Sequence, residues 1–145
     1  TTINAGGGFP LPYAGSAPKF EVIADVIGSA LQRYFGSRPP QLALEPGRVL
    51  VGSAGIIVCE VVSVRTGTDD RRWVYLDVGR YSGLAETENE YIRYRLRTQR
   101  DSDPVADAVL AGPTCDGDDV LYQCYPAPVT LRPGDGVEIC DAGAY

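Results

Sequence analysis

Between Phe20 and Phe35, apolar residues fall at Phe20, Ile23, Val26, Ile27, Ala30, Leu31, Tyr34 and Phe35, the i, i+3, i+4, i+7 recurrence of one helix face. Gly36 and the Pro39-Pro40 pair close the segment. Strand-like runs bracket it, ending at Ile3-Asn4-Ala5 on one side and covering Leu42-Ala43-Leu44 on the other. A glycine turn, Gly6-Gly7-Gly8-Phe9-Pro10, and a loop with Pro12, Gly15 and Pro18 join the first strand to the helix. Strand, loop, helix, strand is a βαβ unit, with both strands parallel and polar loops at their C-terminal ends. One helix and two strands cannot cover both strand faces, and parallel sheets are stable almost only when both are buried. Residues 1–48 therefore expect neighbours.

After residue 48 the pattern changes. Val49 to Ala54 reads as a short helix. The β-rich runs Ile56–Val64, Trp73–Val78, Tyr91–Leu96, Ala106–Ala111, Val129–Leu131 and Val137–Cys140 follow, parted by turn signals. The expectation is an antiparallel β-barrel or sandwich over 49–145, making the chain mainly β overall.

The 145 residues carry a net charge of −6, and no lysine-rich stripe is present, which argues against nucleic acid as a partner. No apolar run reaches the 18 or so residues of a membrane-spanning helix, and no basic segment leads into an apolar one. With no histidine, a zinc or iron site is not expected, and histidine acid–base chemistry is excluded within this chain. Cys59, Cys115, Cys124 and Cys140 form no CxxC pair and read as reduced thiols of a cytoplasmic protein. The chain has no methionine and a single lysine, Lys19, so we expect a piece of something longer.

Four short motifs carry chemistry. Gly6-Gly7-Gly8 is either a flexible turn or a phosphate cradle, since only glycine lets backbone N–H groups approach an anion closely. Glu45-Pro46-Gly47-Arg48 ends the next strand on the same rim. There Arg48 pairs with phosphate or simply stays solvated. Gly112-Pro113-Thr114-Cys115-Asp116-Gly117-Asp118-Asp119 is either an acidic surface turn or a loop presenting Cys115 and Asp116 to a cationic substrate. Its spacing does not match a calcium-binding helix–loop–helix. Asp141-Ala142-Gly143-Ala144-Tyr145 is uninformative alone.

In this order and at these distances, the four motifs resemble the fold-type III pyridoxal-phosphate decarboxylases of ornithine, lysine, diaminopimelate and arginine, over residues 4–145. The resemblance implies that residues 1–48 are the last strands of a (β/α)8 barrel and 49–145 the C-terminal β-domain. It implies pyridoxal 5'-phosphate held by Gly6, Gly7, Gly8, Gly47, Arg48 and Tyr145, with Glu45 facing the pyridine nitrogen. Cys115 would serve the cofactor of a partner protomer as proton donor, and Asp116 would bind the substrate's distal ammonium across the interface of a homodimer. The Gly-Pro-Thr-Cys-Asp form resembles ornithine and lysine decarboxylases more than diaminopimelate decarboxylases.

Two features depart from the family. Asp77-Val78-Gly79 stands where ornithine decarboxylases carry Asn-Asp-Gly, so Asp77, the candidate substrate-binding acid there, is one residue early and faces the other side of its strand. Glu86 is a candidate to supply the missing acid, or an ordinary loop residue. The family's cofactor-anchoring lysine also has no counterpart, because Lys19 sits at a helix entrance. The enzyme is therefore expected to be incomplete without a second polypeptide or fragment carrying the N-terminal barrel. The reading is a decarboxylase of a basic amino acid, of the ornithine or lysine type. The alternatives are a diaminopimelate decarboxylase, a non-catalytic decarboxylase-like regulator or interaction protein, and an isolated β-domain with a structural role.

Overall fold

A computed structural model describes residues 1–13 and 15–145. The first segment is the expected βαβ unit: β1 (Thr2–Asn4), α1 (Phe20–Phe35) and β2 (Gln41–Ala43), with β1 and β2 parallel and Ile3 opposite Leu42. The helix bounds follow the apolar periodicity, and the Gly36 N–H closes the last turn on the Gln32 carbonyl. No α1 residue is buried, and Val26 and Tyr34 on its apolar face are 65% and 73% exposed.

A short helix, α2 (Arg48–Val51), and a 3-10 turn (Gly52–Ala54) lead into six strands. These are β3 (Ile56–Thr66), β4 (Arg72–Leu76), β5 (Leu96–Thr98), β6 (Val105–Ala111), β7 (Val120–Pro128) and β8 (Gly136–Cys140), ordered β5-β8-β3-β4-β6-β7. The core lies inside the curl of this sheet, around Val61, Val74, Leu76, Leu110, Leu121 and Ile139.

Three expectations are corrected. The sheet is mixed rather than all antiparallel, because β4 and β6 run parallel, with Val74 opposite Leu110. The long connection between them, holding β5 and two 3-10 turns, returns the chain in the same direction, as a parallel pair requires. Residues 91–95 do not form a strand. The Tyr94 N–H donates to the Tyr122 hydroxyl at 2.8 Å, and the Leu96 N–H to the Tyr125 hydroxyl at 3.0 Å. Those hydroxyls donate in turn to the carbonyls of Ile92 and Tyr94. Two tyrosines of β7 thus occupy backbone groups that a ladder would otherwise pair, and they join the two ends of the curled sheet. Finally, β7 replaces the strand expected at 129–131. Pro126 and Pro128 are tolerated in it because β7 is an edge strand.

One tie in this sheet yields a pH prediction. The Asp135 carboxylate accepts from Arg100 at 2.5 and 3.0 Å and from the Arg132 N–H at 2.9 Å, pinning the β7–β8 turn to the loop after β5. Chiefly through Arg100, its pKa falls from 3.8 to about 2. A depressed carboxylate contributes stability that is present above its unfolded pKa and is lost as pH falls through the folded value. The thermal midpoint of wild type should therefore exceed that of Asp135→Asn by a constant margin above about pH 5, and the margin should close between about pH 4 and 2. A margin unchanged at the acid end would refute the pair's role.

Candidate functional site

The glycine turn and the end of β2 meet at one rim. The Glu45 N–H donates to the Gly6 carbonyl at 2.8 Å, and the Gly6 N–H donates to the Asn4 side chain at 2.8 Å. A Cβ on Gly7 would stand 2.4 Å from the Glu45 carbonyl oxygen, so any side chain there would force the rim apart. The Glu45 carboxylate is exposed and accepts from the Asn4 amide at 2.5 Å. The C-terminal tail reaches the same place, since a Cβ on Gly47 would lie 2.9 Å from the Tyr145 hydroxyl. That tail is held by backbone bonds from Ala142 to Gly55 and from Gly143 to Gly52.

Arg48 is the organised cation of this rim. Its Nη1 donates to the Tyr13 hydroxyl at 2.7 Å and to Glu86 Oε2 at 2.9 Å, and its Nη2 to Glu86 Oε1 at 2.5 Å. The guanidinium carbon lies 5.7 Å from the centre of the Tyr13 ring and 5.2 Å from that of Tyr145, within cation–π range of both. The bond to Glu86 raises the Arg48 pKa well above its ordinary value despite partial burial. Tyr13 is braced in turn by an edge-on contact with buried Tyr94, ring centres 5.3 Å apart.

A second cluster lies between β6 and β7. Asp119 is buried, and its carboxylate accepts from the Arg80 N–H at 2.8 Å, the Thr114 N–H at 3.1 Å and the Thr114 hydroxyl at 2.8 Å. It is pressed between two glycine Cα atoms, because a Cβ on Gly79 or Gly112 would come within 2.2 or 2.3 Å of it. Around this anchor the loop turns outward and exposes Cys115 and Asp116. Asp116 accepts from the Asp118 N–H and the Tyr81 hydroxyl, both at 2.9 Å, and these bonds hold its carboxyl below the usual range. The two clusters are linked through residues 80–88: Arg80 donates to the Asp118 carbonyl at 2.6 Å and pairs with Glu88 at 3.3 Å, two residues from Glu86.

The family model for the C-terminal sheet domain of pyridoxal-dependent decarboxylases matches residues 18–143. The chain belongs to the pyridoxal-dependent decarboxylases. The lysine/ornithine decarboxylase of Selenomonas ruminantium is 32% identical over all of this chain and 36% of its own length. The diaminopimelate decarboxylase of Staphylococcus aureus (strain COL) is 26% identical over 99% of this chain and 35% of its own length. Among solved structures, the lysine/ornithine decarboxylase of Vibrio vulnificus complexed with putrescine superposes with a TM-score of 0.84. It is 30% identical, covering all of this chain and 38% of that one. The decarboxylase segment thus spans little more than a third of the relatives it matches.

The rim of this decarboxylase domain fits a phosphate-bearing cofactor. It offers backbone at Gly7 and Gly47 too close-packed for side chains, an arginine fixed in place and the Tyr145 hydroxyl against Gly47. Gly6, Gly7, Glu45, Gly47, Arg48 and Tyr145 are brought together there, and Gly8 follows Gly7 in the same turn at positive φ. Cys115 and Asp116 are not: among the described residues no hydrogen bond or ion pair joins them to that group. Asp77 stands apart from both clusters, its carboxylate accepting from the Glu60 N–H on β3 at 2.7 Å. Glu86 faces Arg48. Sequence reasoning did not single out Tyr13, which lay in a Pro/Gly loop without periodicity. Nor did it single out Asp119, although its place beside Asp118 and downstream of Gly112 hinted that the two aspartates play different roles.

Proposed function

We propose that this chain completes a pyridoxal 5'-phosphate-dependent decarboxylase acting on a basic amino acid of the lysine or ornithine type. In this reading, residues 1–48 end a (β/α)8 barrel and residues 49–145 form the β-domain closing over it. The remainder is supplied by another polypeptide or by another part of a longer one, and the whole works as a homodimer in the cytoplasm. The observation that carries the reading is the meeting of Gly7, Glu45, Gly47, Arg48 and Tyr145 at one rim. The unburied apolar face of α1 supports the missing barrel neighbours.

Each residue takes a role its chemistry suits. The N–H groups of the glycine turn and of Gly47, the Arg48 guanidinium and the Tyr145 hydroxyl bind phosphate. Glu45 holds a proton on the pyridine nitrogen. When bound, the cofactor supplies the electron sink for the carbon that loses carbon dioxide. Cys115 Sγ delivers a proton to that carbon at the partner protomer's cofactor, and Asp116, held ionised, receives that substrate's distal ammonium across the homodimer interface. Relatives named for diaminopimelate favour a second reading. A distal carboxylate, however, needs a cation beside Asp116, and the nearby Arg80 is already engaged by Glu88 and the Asp118 carbonyl.

Carbon dioxide release by the complete assembly, scored over lysine, ornithine, arginine and diaminopimelate, tests the reaction. Lysine or ornithine should lead. Denaturing mass spectrometry tests the composition, and a cofactor-binding particle containing only this chain would defeat the proposal.

A further inference from the structure

We infer that Glu86 is a positioning residue for the cofactor's phosphate: it fixes the Arg48 guanidinium so that one complete N–H fork stays available to the anion. The inference rests on the phosphate reading of the rim given above.

A guanidinium carries five N–H donors in a rigid plane. Three of those of Arg48 are spent, two on the Glu86 oxygens at 2.9 and 2.5 Å and one on the Tyr13 hydroxyl at 2.7 Å. These use both Nη1 hydrogens and one on Nη2. Among the described residues nothing accepts from the two that remain, on Nε and Nη2, which lie in the guanidinium plane along one edge and form a second bidentate fork of the geometry that phosphate oxygens accept. Glu86 therefore orients Arg48 without exhausting it.

The rest of the setting agrees. The Tyr13 and Tyr145 rings flank the guanidinium and limit its rotation. The pair is largely shielded, with side chains 20% and 28% exposed. The Glu86 backbone is itself held by neighbours: its carbonyl accepts from Ile92 N–H at 3.0 Å, and the adjacent Thr87 is buried with its hydroxyl on the Leu84 carbonyl at 2.7 Å. A carboxylate with both oxygens committed to Arg48 is also poorly suited to serve as the substrate-amine acid considered for it from sequence.

The test compares binding of pyridoxal 5'-phosphate and of pyridoxal, which lacks the phosphate, to the cofactor-free complete assembly by absorbance titration. It uses wild type, Glu86→Gln, Arg48→Gln and the double variant. Glu86→Gln should weaken pyridoxal 5'-phosphate binding by roughly tenfold, the usual scale for losing a residue that orients a ligating group, and leave pyridoxal binding unchanged. In the Arg48→Gln background the same change should have no further effect, because the two side chains act as one unit. The substrate KM at saturating cofactor should not move. Tyr13→Phe keeps the ring on Tyr94 but removes the hydroxyl acceptor. It should shift phosphate affinity in the same direction by severalfold, and so guards against misfolding of the Glu86 variant. The inference is overturned by unchanged or tighter cofactor binding in Glu86→Gln, by a raised substrate KM, or by a loss that persists without Arg48. If wild type binds pyridoxal and its phosphate equally, the phosphate reading itself has failed.

Discussion

Cys115→Ala in the complete assembly should lower kcat by about 10²- to 10⁴-fold, the range for removing a positioned general acid, with little change in cofactor affinity. The thiol is exposed on the loop between β6 and β7. It bonds to neither Arg48 nor Glu45, so its loss leaves the phosphate rim untouched. Of the four cysteines, Cys59 and Cys140 are buried and Cys115 and Cys124 exposed. Cys59 is buried and its thiol is pushed up to about 12 by desolvation, while Cys124 is raised by its bond to the Asp107 carboxylate. Among the described residues no carboxylate is hydrogen-bonded to Cys115, and its backbone sits between Thr114 and Asp116, both of which the loop network fixes. Cys124→Ala is therefore the matched control and should leave kcat within about twofold, as substitutions away from a site generally do. Steady-state carbon dioxide release measures both variants. Equal loss in the two, or a Cys115→Ala enzyme that keeps full kcat while losing cofactor, would remove Cys115 from the proton-delivery role.

What could be read in advance divides by whether the signal is local. α1 was legible to the residue because periodicity, Gly36 and the paired prolines all act within one segment. β6 and β8 were legible because each is a short apolar run between strong turns. β7 was not, since Gln123, Cys124, Pro126 and Pro128 interrupt the apolar pattern, and only its edge position makes the prolines acceptable. The β4–β6 pairing joins residues 36 apart, Trp73 with Val109, and no local pattern encodes it. The site behaves likewise. The glycine turn and Glu45-Pro46-Gly47-Arg48 announce themselves by residue type at strand ends, and the βαβ reading already set them on one rim. The partners that fix Arg48 come from residue 13, residue 86 and the terminal residue, and only the folded chain gathers them.

Asp119→Ala should destabilise the sheet domain strongly, whereas Asp118→Ala, one residue away, should be nearly silent. The Asp118 side chain is exposed, and only its backbone enters the hydrogen-bond network. Asp119 is 2% exposed, and its carboxylate is the acceptor for the backbone N–H groups of both Arg80 and Thr114. Removing it strands those donors in a site that two glycines hold too tight for easy repacking. An orphaned donor costs about 1–3 kcal/mol when fully buried; these two are part-buried, so together they cost about 2 kcal/mol, corresponding to a fall in Tm of roughly 10 °C for a domain of this size. The functional loss should exceed the stability loss. Thr114 is the residue before Cys115, and Arg80 carries the link toward Glu88 and the Glu86–Arg48 pair, so the same carboxylate sets the loop and steadies the rim. Calorimetry and carbon dioxide release measured on both variants decide the matter. If Asp118→Ala and Asp119→Ala shift Tm alike, the buried carboxylate is not the anchor of this loop.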